Sequence, residues 1–498
     1  MKNIKLLLIC FLLPVSSYGQ TFPQIGSDIG GEAPNDYSGW SVSLSSDGTI
    51  VAIGALYNDA NGSQSGHVRL YNYSDGSWIQ LGSDIDGEAA GDISGYPVSL
   101  SDDGATVAIG AIYNDGNGTD AGHVRVYNYS NSNWTQIGGD IDGEAAGDYS
   151  GIAVSLSSDG TTLAIGAELN VGNGDTDAGH VRVYNYSNGN WTQIGSDIDG
   201  EAAYDYSGRS VSLSSDGTIV AIGALGNDGN GTDAGHVRVY NYSNSNWTQI
   251  GSDIDGEAAG DNSGMSVSLS SDGTVLAIGA QNNDGNGVDA GHTRVYNYSN
   301  GNWTQIASDI DGEAASDNSG MSVSLSSDGT IVAIGAQNND GNGTDAGHVR
   351  VYNYFNFNWT QIASDIDGEA ASDYSGMSVS LSSDGTNLAI GAKGNDGNGL
   401  DAGHVRVYQI SSGVFIEDNL LNSIILNPNP SKGLFSIELD QENIGSTYKI
   451  LDSLGRLIDK GIIREVSQNF DLSDKPKGVY RIQVSNDKSM KTLNVVIQ

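Results

Sequence analysis

Carboxylates supply the first chemistry this sequence offers. Asp84, Asp86, Glu88 and Asp92 fall within nine residues of one another, and Asp253, Asp255, Glu257 and Asp261 repeat that spacing later in the chain. Calcium takes six to eight oxygens from flexible acidic loops, so Ca²⁺ is the cation these loops would hold. The competing reading makes the same Asp and Glu side chains turn formers, strand-edge guards and solubilising groups. A second loop, Asn283-Asp284-Gly285-Asn286-Gly287-Val288-Asp289, is also acidic but lacks the D-x-[DN]-x-[DN]-G order of a calcium loop. With 61 acidic against 21 basic residues, the net charge is −40. Nucleic acid and anionic membrane surfaces would be repelled, and no nucleic-acid partner is expected.

Other reactive types recur too regularly to mark one site. Seven histidines, from His67 to His404, each follow a glycine and precede an arginine by two positions. They belong to seven separate copies of a repeat, too dispersed for one ion to gather, so packing between copies is their expected role. The tryptophans recur in the same way and are read as core. No Ser-His-Asp order, zinc spacing or phosphate loop is present, so the chain is expected not to be an enzyme.

A specific site must break the repeat. Two positions vary freely, one after Ser-Gly and one after Gly-Ala. The first pair of copies is aromatic there, with Trp40, Tyr57, Tyr96 and Tyr113, whereas Arg209, Glu168 and Lys393 bring charge to later copies. Trp40, Tyr57, Tyr96, Tyr113 and Arg209 are the candidate ligand-binding residues, because exposed aromatic rings bind sugars and proteins well.

The elements that hold these residues follow from the repeat itself. An aromatic residue followed by x-Gln-Ile or x-Gln-Leu stands at Phe22, Trp78, Trp134, Trp191, Trp247, Trp303 and Trp359, a period of 56 residues broken once by 57. Alternation and β-branched content predict four strands per copy, for example Trp247 to Gly251, Ser266 to Ser270, Thr274 to Ala280 and His292 to Tyr298. Ser-Asp-Gly and Ser-Asn-Gly-Asn supply the tight turns, and the two acidic segments become long loops on the opposite face. Of the 50 carboxylates in the array, all but nine fall on that loop face. Seven four-stranded units predict an all-β, seven-bladed β-propeller over residues 20–410.

Each last strand should pair with the opening strand of the following copy. The seventh copy lacks a follower, and Phe22-Pro23-Gln24-Ile25 is an orphan at the other end. Pairing the two would close the ring; Phe415-Ile416-Glu417 is the local rival.

Residues 22 to 410 resemble the FG-GAP repeats of integrin-α-type propellers. Ser263-Gly264-Met265-Ser266-Val267 stands at that family's Phe-Gly-x-Ser-Val, and Ala277-Ile278-Gly279-Ala280 at its Gly-Ala-Pro region. The family's calcium loop joins these two elements. Here they are joined only by Ser-Ser-Asp-Gly, so that site does not carry over.

The chain ends point outside the cell. Lys2 and Lys5, apolar Leu6 to Leu13 and Ser17-Tyr18-Gly19 read as a signal peptide over 1–19, with Cys10, the only cysteine, inside it. No stretch is long and apolar enough to span a bilayer. After a linker at 411–424, residues 425–498 read as a small β-sandwich. Asn427 to Gly433, Leu454 to Ile458, Lys477-Gly478-Val479-Tyr480 and a terminal apolar strand resemble the C-terminal sorting domain of the type IX secretion system. That resemblance implies the type IX machinery as partner and a secreted or outer-membrane-surface protein of a Gram-negative bacterium. The expected function is binding or adhesion to an extracellular glycan or protein. A propeller hydrolase or lyase acting on polysaccharide, or a matrix spacer, are the alternatives.

Overall fold

A computed structural model describes residues 21–410 and, of the C-terminal part, 424–497 except 429, 440–443, 452–455, 474 and 486–489. Residues 1–19, where a signal peptide is expected, most of the linker and the rival closing segment at 415–417 lie outside the described residues, as does part of the 454–458 motif. The chain divides into two compact units, 1–410 and 411–498.

The first unit is a ring of seven antiparallel sheets. In the first sheet the strands Ser38–Leu44, Ile50–Ala55, His67–Ser74 and Ser77–Gln80 follow one another from the axis outward. The last of these is the x-Gln-Leu strand of the next sequence copy, as the pairing Tyr71↔Gln80 requires. One element goes beyond the expected four. Ile85–Asp86, inside the first acidic segment, pairs back onto His67–Val68, and five other sheets repeat it. Two residues are too short for an alternation to register in sequence.

The middle strands read Ile-Val-Ala-Ile-Gly-Ala because both of their faces are covered. Val51 and Ile53 pack with Val405 and Val407 of the seventh sheet, whereas Ala52 packs with Val98, Leu100 and Ile109 of the second. Large side chains thus meet small ones across each junction, which fills the space without overlap. Gly54 permits a close approach, since a Cβ there would lie 2.1 Å from the carbonyl oxygen of Gly95 in the next sheet. Every junction buries its own apolar cluster, so the core is a ring of interfaces and each sheet depends on two neighbours.

The ring closes through the N-terminal strand. Gln24 bridges Tyr408, Ile25 N–H donates to the Val407 carbonyl at 2.7 Å, and Gln409 N–H donates to that of Pro23 at 2.9 Å. Ile29 and Gly30 then pair with Val405 and His404.

The second unit holds two antiparallel sheets. One contains Ile425–Asn427, Leu434–Glu438 and Ser467–Asp471, and the other Leu457–Ile462, Thr447–Leu451, Gly478–Ser485 and Met490–Ile497. Phe435, Ile437, Ile450, Phe470, Ile482, Val484 and Val495 form their common core. Among the described residues no helix is long and apolar enough to cross a membrane.

Candidate functional site

The innermost strands line the axis and are tied together in three ways. At the tight-turn end, the backbone N–H of Ser46 donates to the Asp102 carbonyl, Asp102 to Ser158, and so on through Ser215, Ser271, Ser327 and Ser383 back to Ser46. Seven backbones side by side at a strand spacing of about 4.8 Å stand roughly 5.5 Å from the axis, which leaves a narrow bore. Deeper in, Leu44 N–H donates to Ser380 Oγ, Leu100 to Ser43 and Leu156 to Ser99, and the pattern runs around the whole ring. Ser41 Oγ and its counterparts in four other blades donate to the Gly95-type carbonyl of the next.

The opposite end of the axis is built from the positions where the copies disagree. Trp40 and Tyr96 have ring centroids 5.4 Å apart and pack on buried Leu56, Ile93, Ile112 and Ile152. Tyr57 stands edge-on to Tyr37 at 5.2 Å, and Tyr113 to Tyr149 at 5.1 Å. Lys393 Nζ lies 4.5 Å from the Trp40 centroid and 5.1 Å from that of Tyr374. Arg209 Nη1 lies 3.3 Å from Glu168 Oε1, and its guanidinium is close enough to Tyr96 for the two to interact electrostatically. Arg209 belongs to the fourth blade and Tyr96 to the second, so this contact skips a blade and spans the central opening. All five candidate ligand-binding residues therefore share one mouth.

Charge at the mouth is set by burial. Burial raises the Glu168 carboxyl, with Arg209 opposing it. Burial works against the Arg209 charge most strongly, but Glu168 and Tyr96 together outweigh it and the guanidinium is held above its ordinary range. Lys393 is lowered by burial, with Asp401 pulling the other way.

Sequence reasoning missed a third variable position, the residue before Ser-Gly. Tyr37, Ile93, Tyr149, Tyr206, Asn262, Asn318 and Tyr374 occupy it, and all have φ between 49° and 56°. Asn tolerates that left-handed region, whereas Tyr and above all Ile do not, and such strain collects at functional sites. Bonds such as Tyr37 N–H to the Asp401 carbonyl and Ser38 N–H to that of Ala402 hold the conformation. The alternation of Tyr with Asn at this position was the signal available in sequence. On the far side of the mouth the amides form a chain. Asn338 Nδ2 donates to Asn318 Oδ1, Asn318 to Asn282, Asn282 to Asn262, and Asn262 to the Leu225 carbonyl. Gln337 Oε1 is buried beside them without a partner among the described residues.

The carboxylates of the acidic loops are shared out among several partners. Asp253 groups with His236 and Glu201, and Glu257 pairs with Arg294 and faces His292. Asp261 is buried, accepting from Ala258 N–H and Asn283 Nδ2, while Asp255 is exposed. In the earlier loop Asp84 groups with His67 and Glu32, and Glu88 with His123 and Asp140. Asp92 is buried on Ala89 N–H and Asn114 Nδ2, and Asp86 is exposed. The four carboxylates of each acidic loop thus have different neighbours, because each loop crosses a blade junction. In the second loop Asp284 and Asp115 accept backbone N–H groups of the turn.

The six tryptophans of the x-Gln-Ile and x-Gln-Leu strands are structural. Trp78 Nε1 donates to the Ile25 carbonyl at 2.8 Å and the ring packs on Tyr73, a pattern that recurs at Trp134, Trp191, Trp247, Trp303 and Trp359.

Two family models match parts of the chain. Residues 30–71, 197–240, 303–352 and 359–408 match the FG-GAP repeat, and residues 426–498 match the secretion system C-terminal sorting domain. No curated protein sequence matches the chain. Among solved structures, the chain is similar to the periplasmic gluconolactonase PpgL of Pseudomonas aeruginosa, at 13% identity and a TM-score of 0.47 over 95% of this chain and 99% of that one. It is also similar to PorZ, a surface component of the type-IX secretion system of Porphyromonas gingivalis, at 12% identity and TM-score 0.42 over 94% and 60%. The β-propeller domain of the Trilobed protease from Pyrococcus furiosus matches at 9% identity and TM-score 0.41 over 73% and 91%.

Proposed function

For a chain of FG-GAP repeats that ends in a secretion-system sorting domain, we propose a binding protein whose ligand docks at the loop-face mouth of the propeller axis. The sorting domain is the part recognised by the type IX machinery, so the chain is a secreted or cell-surface propeller protein. Carbohydrate is the ligand class that fits the mouth. Aromatic faces from the first blades stack on the apolar faces of a sugar ring, and the amide chain opposite supplies donors and acceptors for its hydroxyls. The observation that carries this reading is convergence. Residues that break the repeat come from different blades, yet they assemble around one opening.

A hydrolase or lyase has one observation in its favour: Glu168 is a buried carboxyl with a raised pKa at the same mouth. Its ion-pair partner is Arg209 at 3.3 Å, with Asp177 near enough to raise the carboxyl further, and a carboxyl held by an arginine favours an ion pair over a general acid. A glycan array probed with the wild-type protein and with alanine at Trp40, Tyr57, Tyr96 and Tyr113 tests the proposal. Glycan binding that disappears in the quadruple variant supports it. Binding unchanged by the four substitutions would remove the mouth as the site.

A further inference from the structure

We propose that the seven blade junctions each hold one divalent transition-metal ion, of which zinc is the representative, through one imidazole and two carboxylates. The ligand sets are His67 with Glu32 and Asp84, His123 with Glu88 and Asp140, His180 with Glu144 and Asp197, His236 with Glu201 and Asp253, and His404 with Glu369 and Asp28; two further groups make seven. Within each set the three ligand atoms lie within 4.8 Å of one another. Nδ1 of His123, His180, His292, His348 and His404 is 3.9 Å from a glutamate Oε2.

The two oxygens of each carboxylate are divided in a way that leaves one for a metal. Glu88 Oε1 faces Arg125 Nη1 at 3.5 Å while its Oε2 faces His123. Asp28 Oδ1 accepts Gln24 Nε2 at 2.6 Å while its Oδ2 faces His404 at 4.0 Å. Gln136 and Gln249 hold Asp140 and Asp253 in the same manner. Outer partners that fix the orientation of metal-binding carboxylates are a feature of built sites.

The histidine supplies an independent observation. His67 is fully buried, and neither of its ring nitrogens has a hydrogen-bond partner among the described residues. A buried polar ring without partners is costly, and a metal ion is a partner that this cleft can accept. Zinc sits about 2.0 to 2.2 Å from nitrogen and oxygen ligands, which places tetrahedral ligands roughly 3.4 Å apart. Closing 3.9 Å to that value requires only a small shift of the glutamate, which is about half exposed at 44%. An imidazole in the set favours zinc, nickel or copper over calcium, which prefers an all-oxygen shell.

Each site would tie three chain segments together. His67 opens the third strand of its blade, Asp84 follows the fourth, and Glu32 comes from the segment leaving the neighbouring blade. At the last junction the aspartate is Asp28 of the closing strand, so a metal there would staple the ring shut.

All seven histidines of the chain belong to the seven strands that carry these junctions, so imidazole NMR signals report the sites without background. Metal-free full-length protein is titrated with zinc and, separately, with calcium. The expected result is a shift of all seven imidazole signals at close to one zinc per histidine, with no comparable shift from calcium. In Glu88→Gln, an exposed substitution that leaves the core intact, the His123 signal alone should fail to respond. Asp28→Asn should do the same for His404 and lower the zinc-dependent rise in Tm. Imidazoles unmoved by zinc, equal shifts with calcium, or an unaltered His123 response in Glu88→Gln would each overturn the proposal.

Discussion

The ammonium of Lys393 stands 4.5 Å from the ring centroid of Trp40, so the last blade and the first are joined at the mouth by a cation over an indole. Such contacts contribute about 0.5–2 kcal/mol, more where water is excluded. A double-mutant cycle with Lys393→Met and Trp40→Ala, read by denaturant unfolding, should give a coupling energy of about 1 kcal/mol. Additive losses would mean that the two groups are neighbours without interaction.

Arg209 and Glu168 form an ion pair within the mouth, and both are largely buried. Removing one partner leaves the other charge uncompensated, so Glu168→Leu should cost about 3 kcal/mol. The double variant Glu168→Leu, Arg209→Met should recover most of that loss, because no buried charge remains. Urea unfolding of the three variants distinguishes this outcome from simple additivity.

Ring closure rests on a short clasp. Deleting residues 21–30 strips the seventh sheet of its outer pairing and uncovers Tyr408 and Val405, which the N-terminal segment now covers. The variant should melt well below wild type, and limited proteolysis should cut the seventh blade first. A melting point within a degree or two of the wild type would show that the clasp is dispensable.

The turn aspartates predict an acid limit. Asp272 Oδ1 accepts from Ser270 Oγ, Thr274 N–H and Thr274 Oγ1. Burial pushes its carboxyl up, but these hydrogen bonds outweigh that and hold it below 3.8; Asp47, Asp159, Asp216 and Asp384 behave alike. With the folded pKa depressed, the unfolded state takes up protons first. The stabilisation is therefore complete above about pH 4 and is lost as pH falls through the folded values. Asp→Asn at these five positions should flatten the decline of Tm below pH 4, as measured by thermal unfolding across pH 2 to 6. An equally steep decline would place the acid sensitivity elsewhere.

Much of the architecture was legible because it is local. Ser-Asp-Gly turns, a period of 56 residues and the fully apolar Ile-Val-Ala-Ile-Gly-Ala strands specify hairpins that can only bury both faces against copies of themselves. The orphan strand at Phe22 announced the clasp for the same reason, since an unpaired edge must find its missing neighbour. The residues that break the repeat could be read off as well, including Trp40, Tyr96 and Arg209.

What sits beside what was decided by the tertiary structure. Asp253 and Glu257 are four residues apart in sequence, yet one turns to His236 and the other to His292, because the loop between them crosses from one blade to the next. Arg209 meets Tyr96 over more than a hundred residues because both point to one axis. Sequence spacing fixes distances along a strand, but ring closure sets distances between strands. The chemistry of the mouth and of the junctions therefore exists only once all seven blades have closed.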